Sequence, residues 1–219
     1  MTKQKVIAEP WKLRKDRTRK TNNIPLRKKY LICTEGKTEA IYFSNFRSST
    51  GPIIFSIDKS DQKTSLVKRT IEEREIRIIN GEFDSEIDKI WVVFDRDICP
   101  SNKEDKNDFN YALQLAKKHN ISVAYSNDAF EIWILLHYQE ISGSLHRSVL
   151  NKKITEHRGK KYSKGEDLYK EIKPNRSIAI KRAHRLFNAT TLPPEKANPS
   201  TTVHLLVEKL MKEPGFKEK

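Results

Sequence analysis

The 219-residue chain has only two cysteines, Cys33 and Cys99, each beside an apolar run. Two thiols so placed supply neither a disulfide framework nor a zinc ribbon, and they point to a reducing compartment. Long apolar runs are missing as well. No stretch approaches the ~20 residues of a membrane span, and the N-terminus lacks the apolar centre of a signal peptide. The expectation is a soluble cytoplasmic protein with no membrane partner. The six histidines show no metal-ligand spacing: His184 and His204 fall on helical stretches, and His137 falls in an apolar one as a core residue. No internal repeat is evident. Acidic residues are scarce relative to basic ones, 29 against 43, for a formal charge of +14. That surplus disfavours an acidic small molecule and favours a polyanion, with nucleic acid the first candidate.

One more absence decides how to read ICTEGKTEAIYF at residues 32–43. The letters GKT suggest a phosphate-cradling P-loop, but such a loop needs a glycine five residues earlier so that free backbone N–H groups can surround the phosphates. That position is Leu31, inside an apolar run. The stretch from Tyr30 to Cys33 therefore predicts a buried strand that delivers Glu35 to a turn at Gly36. A helix follows, with Ala40, Ile41, Phe43 and Phe46 available for its buried face. Open α/β sheets place ligand chemistry at the C-terminal ends of their strands.

Residues 1–28 form a polar, basic arm in which Arg14, Lys15, Arg17, Arg19 and Lys20 crowd together. Two readings fit it: a phosphate-contacting arm or a solubilising tail. From Lys29 to about residue 140, strands alternate with helices. Strands are expected at 30–34, 53–57, 90–94 and 121–125. A surface helix is expected over 62–79, ended by Asn80-Gly81, with another before His119-Asn120 and an apolar helix over 130–138. The run Ile90-Trp91-Val92-Val93-Phe94 is unbroken, as in a strand covered on both faces. Trp91 and Trp133 sit in such runs and are read as core. The pattern predicts an α/β fold with a parallel sheet of about four strands flanked by helices. Residues 141–219 show no clear strand and read as a helical C-terminal extension, with helices at 176–188 and 200–212. Its cations include Lys160, Lys161, Lys181 and Arg182, which line a basic groove or simply cover a solvated helix face.

The chemical centre is FDRD at 94–97. Two carboxylates at i and i+2 leaving an extended strand point to one side. At ~4–5 Å they repel by roughly 3–4 kcal/mol at an effective dielectric of about 20. A proton or a hard divalent cation, Mg2+ above all, would offset this; the alternative is a pair of loop acids. Phosphatases of the haloacid dehalogenase type also carry Asp-x-Asp after an apolar strand. Here the position that takes Thr or Val is Cys99, the motif follows the third strand and not the first, and no later paired-Asp motif follows a strand.

With Glu35 after the first strand and Asp95 and Asp97 after the third, the arrangement resembles the Toprim domain of topoisomerases, primases and several nucleases. ICTEGKTEAIYF, VVFDRD, SNDAFEIWILLHY at 126–138 and NPSTTVHLLVEKL at 198–210 together resemble the RloB family of prokaryotic defence-associated proteins. Asp128 departs from the proline or small residue expected there. The resemblance implies Mg2+-assisted (or Mn2+-assisted) phosphodiester chemistry with one or two ions. Asp95 and Asp97 would hold metal, and Glu35 would be a general acid or base or a further ligand. Glu131 lies where overcoming-lysogenization-defect nucleases of the Toprim class carry acids for a second metal; otherwise it is an acid favoured by a helix N-terminus. Lys37 would meet a phosphate. Glu39 would either support Glu35 from behind or be an exposed helix acid.

A topoisomerase would need a gated tyrosine domain, for which the chain has no room, and a replicative primase a zinc ribbon, which two cysteines cannot supply. Water remains as the nucleophile, which defines a nuclease. The competing expectation is a non-catalytic nucleic-acid-binding or regulatory subunit. For either, the resemblance implies a separate defence-system ATPase as partner.

Overall fold

The computed structural model describes residues 27–47, 53–58, 62–97 and 103–216. The basic arm with Arg14, Lys15, Arg17, Arg19 and Lys20, and also Cys99, lie outside the described residues.

The order of elements is β1 (Lys29–Thr34), α1 (Lys37–Ser44), β2 (Ile53–Asp58), α2 (Lys63–Ile79), β3 (Lys89–Asp95), α3 (Lys103–Lys118), β4 (Ser122–Asn127), α4 (Glu131–Leu135), α5 (Arg147–Arg158), α6 (Tyr169–Ile172), α7 (Arg176–Asn188), β5 (Ser200–Thr201) and α8 (Val203–Lys212). The strands form one sheet in the order β2-β1-β3-β4-β5. The first four are parallel, as expected of strands separated by helical crossovers.

Successive strand side chains point to opposite faces, which splits the core in two. Leu31, Cys33, Val92 and Phe94 pack on one face against Leu66 and Val67 of α2 and Phe109 and Ala112 of α3. Tyr30, Ile32, Trp91 and Val93 pack on the other with Tyr42, Phe43, Trp133 and helices of the C-terminal segment, including Ala179, Ala183, Leu206 and Leu210. Each large side chain buried here contributes ~1.5–3 kcal/mol relative to exposure. The C-terminal segment is thus packed on the sheet and shares its core.

Two expectations need correction. A short fifth strand, β5, lies within the segment read as strandless. It pairs antiparallel with β4, Ser126 opposite Thr201 and Asn127 opposite Ser200. Two residues carry no periodicity, and hydroxyls secure the pairing instead: Ser126 Oγ and Thr201 Oγ1 lie 3.0 Å apart, and the Tyr125 N–H donates to Thr202 Oγ1 at 2.9 Å. The helix expected from residue 200 accordingly starts at Val203. α2 is the surface helix expected over 62–79, with Leu66 and Val67 buried and Ile76 and Ile79 exposed.

β1 and β3 lie side by side, yet the chain leaves β1 toward β2 on one side and β3 toward β4 on the other. Their C-terminal ends are a topological switch point, where the diverging connections leave a crevice. Glu35 and Asp95 emerge there.

Candidate active site

Glu35 is fixed by its backbone and its side chain. Its N–H donates to the Val93 carbonyl at 2.9 Å, which extends the β1–β3 ladder by one residue. Its Oε2 accepts from the Asp95 N–H at 3.1 Å, so the two strand ends are tied through the carboxylate.

Gly36 follows with an extended backbone, φ −125° and ψ 159°, so left-handed freedom is not why glycine stands there. Space is the reason: a Cβ at Gly36 would lie 2.5 Å from Glu39 Oε2. Glu39 is buried, which overturns the exposed-acid alternative.

β3 ends at Asp95, and Asp97 has φ 50°, so the two aspartates do not leave one extended strand. The Arg96 N–H donates to the Ser126 carbonyl at 2.8 Å and the Asp97 N–H to the Asp128 carbonyl at 3.2 Å, which bends the chain toward the β4 end. The two carboxylates nonetheless line the same cleft.

That cleft has a volume of about 290 Å3 and brings together Glu35, Glu39, Asp95, Asp97 and Glu131 with Lys37, Arg147 and Lys164. Glu131 is 1 % exposed and accepts from the Tyr162 hydroxyl at 3.1 Å, with Lys164 Nζ 3.9 Å away. Every acid expected from the sequence is therefore present, together with Lys37. The other expected cations lie elsewhere. Lys160 pairs with Glu166 and Glu171, Arg182 donates to the Leu136 carbonyl at 2.8 Å, and Lys161 and Lys181 are exposed outside the cleft.

The residues the sequence did not reveal are the counter-charges. Lys63, 6 % exposed, places Nζ 3.1 Å from Asp97 Oδ2 and 3.4 Å from Glu35 Oε1. Arg147 contacts Asp97 Oδ1 through Nη2, which lies 3.6 Å from Asp128 Oδ1. Asp128 also accepts from the Arg147 N–H at 3.2 Å, so the unexpected acid at this corner positions an arginine. Lys164 arrives on the loop after α5, docked where the Gly165 N–H donates to Thr38 Oγ1 at 2.9 Å. Helix ends preceded by polar loops could have hinted at Lys63 and Arg147, but nothing separates them from the chain's other cations.

Crowded, buried carboxylates resist ionisation. Burial pushes the Asp95 carboxyl well above the ordinary aspartate range, and the charges of Glu39, Glu131 and Glu35 push it further against the pull of Arg147. Glu39 is raised to about 7, mainly by burial and then by Glu131 and Glu35, against its own backbone hydrogen bond and Lys164. Glu35 is raised by burial, with Lys63 opposing.

As a donor set, hard carboxylate oxygens with an excess of buried negative charge fit Mg2+ or Mn2+. Among the described residues, no three His, Cys, Asp or Glu side chains already stand as a ligand group. Lys63 and Arg147 engage the carboxylates instead.

An α/β domain with a mostly parallel sheet and a Glu/Asp-x-Asp cluster at its switch point is Toprim-like in architecture. The family of RloB-like proteins matches residues 30–210, and the chain belongs to that family. No match was found among curated proteins or among solved structures. No helix among the described residues is long and apolar enough to cross a membrane.

Proposed function

We propose that this RloB-like protein is a metal-dependent endonuclease that hydrolyses phosphodiester bonds of DNA or RNA in the cytoplasm, in prokaryotic anti-phage defence, with a separate ATPase as activating partner. The defence setting and the ATPase rest on the family. The chemistry rests on one observation: half-buried Asp95 shares a single cleft with Glu35, Asp97 and Glu131, with lysines and an arginine at hand.

Asp95, Asp97, Glu35 and Glu131 would hold one or two Mg2+ or Mn2+ ions, which when bound lower the pKa of a water and steady charge on phosphoryl oxygens. Glu35, raised by burial and fixed by the Asp95 N–H, is suited to accept a proton from the attacking water. Lys63 keeps Glu35 and Asp97 oriented. Arg147, Lys37 and Lys164 offer donors to the non-bridging oxygens, and the arginine can do so bidentately.

The test is cleavage of labelled plasmid DNA and total cellular RNA by the purified protein, with and without Mg2+ or Mn2+, beside Glu35→Ala and Asp95→Ala. Metal-dependent cutting lost in both variants is expected, and cutting retained in either overturns the assignment.

A second reading, a nucleic-acid-binding or regulatory subunit, is favoured by the engagement of Asp97 and Glu35 with Lys63 and Arg147. It predicts no cutting even with the ATPase present, and equal nucleic-acid affinity in wild type and both variants.

A further inference from the structure

A second cleft, of about 650 Å3, opens between α2 and α3. Its chemistry differs from the rest of the surface. One residue in three of the chain is charged, yet Asp108 is the only charged residue among the eight described residues that line this cleft. Asn and Gln supply 17 of 219 residues overall but four of these eight: Gln62, Asn107, Asn110 and Gln114. Their side chains make no hydrogen bond to any described residue. Tyr111 completes the wall with 54 % of its surface exposed, which leaves a ring face open.

The cleft is joined to the acidic site through one residue. Gln62 and Thr64 line the new cleft, while Lys63 between them turns inward to Glu35 and Asp97. Asp108 fastens the two helices there, accepting from the Thr64 N–H at 3.2 Å and, through its carbonyl, from the Thr64 hydroxyl at 3.3 Å. Asp108 also acts electrostatically on Glu35.

We infer that this cleft is a nucleobase subsite: it takes an unstacked base of a single-stranded nucleic acid, whose backbone lies across the acidic cleft. Primary amides carry both a donor pair and an acceptor, which is the complement of a base edge. An exposed tyrosine is the platform on which unpaired bases stack. None of the described lining residues is a cation that would hold a phosphate. Single-stranded RNA and single-stranded DNA share this chemistry, and the subsite reads the base they have in common. The inference rests on the nucleic-acid substrate proposed above.

The experiment is fluorescence anisotropy in EDTA, with labelled single-stranded RNA and DNA oligomers and an abasic oligomer of equal length, on full-length wild type, Tyr111→Ala, Tyr111→Phe and Lys37→Ala. Wild type should bind the base-bearing oligomers at least tenfold more tightly than the abasic one. Tyr111→Ala should weaken base-bearing oligomers by about fivefold to a hundredfold. It should leave abasic binding unchanged, while Tyr111→Phe retains wild-type affinity. Lys37→Ala should weaken all oligomers alike. Equal affinity of wild type for abasic and base-bearing oligomers, or no effect of Tyr111→Ala, overturns the subsite while leaving the nuclease reading standing. No binding of any oligomer overturns the nucleic-acid reading, and the subsite falls with it.

Discussion

Glu39 offers the sharpest test of the electrostatic account, because it can be neutralised almost isosterically. Its carboxyl is buried beneath the cleft and raised from 4.5 to about 7, so the fold carries a group that resists the charge it would bear at physiological pH. A folded-state pKa above the unfolded value means that the native state binds more protons. The associated stability is fully present below about pH 4.5 and is lost as pH rises through 7. Holding the carboxyl at about 7 in place of 4.5 corresponds to ~3 kcal/mol that wild type has lost by pH 8. Glu39→Gln has no proton to lose. With divalent cations chelated, the variant should be about 2–3 kcal/mol more stable than wild type at pH 8, and the gap should close toward pH 4.5.

Urea unfolding at pH 4.5, 6, 7 and 8 measures this directly through the midpoint at constant slope. A difference that is zero at pH 8, or that does not shrink on acidification, would refute the claim that burial and neighbouring carboxylates hold Glu39 up. Gly36→Ala approaches the same group from outside. Its Cβ would fall 2.5 Å from Glu39 Oε2, so the carboxylate must move and the pH profile should flatten toward that of Glu39→Gln.

Three further outcomes are expected. Lys63→Met removes the cation that Glu35 and Asp97 share, and should lower kcat/KM for nucleic-acid cleavage at least ~100-fold with an unchanged circular-dichroism spectrum. Arg158→Ala releases Glu166 and Glu171, which Arg158 holds at 2.6 and 2.8 Å; a loss of ~2 kcal/mol and new proteolytic cuts within 159–171 are expected, since that loop carries Tyr162 and Lys164 to the cleft. His137, buried beside Trp133, is lowered to about 4 by burial, so its contribution has the opposite sign: stability is lost as pH falls from 6.5 toward 4, by ~3 kcal/mol, and urea unfolding of His137→Phe should show that slope removed.

The fold was legible where signals are local. An unbroken apolar run marks β3, Asn80-Gly81 marks the end of α2, and both are where the residues say. The acids were legible for the same reason: Glu35 and Asp95 stand at strand ends, and strand ends at a switch point converge whatever the crossovers contain. β5 was illegible because two residues have no period, and its pairing depends on hydroxyls 75 positions away along the chain. The bend at Asp97 was hidden too: aspartate tolerates a positive φ but does not demand one, and the Asp128 carbonyl that accepts from its N–H lies far along the chain.

The cations were the real loss. Lys63, Arg147 and Lys164 come from three elements remote from both acidic motifs, and they are three among 43. Their placement changes what the net charge means. Lys63, Arg147 and Arg158 are committed to internal carboxylates and offer a polyanion little long-range attraction. Lys37 and Lys164 at the cleft are differently placed, one exposed and the other 3.9 Å from the carboxylate it faces. If nucleic acid is drawn to this cleft, the salt dependence of its binding should therefore follow Lys37 and Lys164, each removal lowering the slope of log Kd against log salt by about one. Arg147 should act on cleavage far more than on that slope.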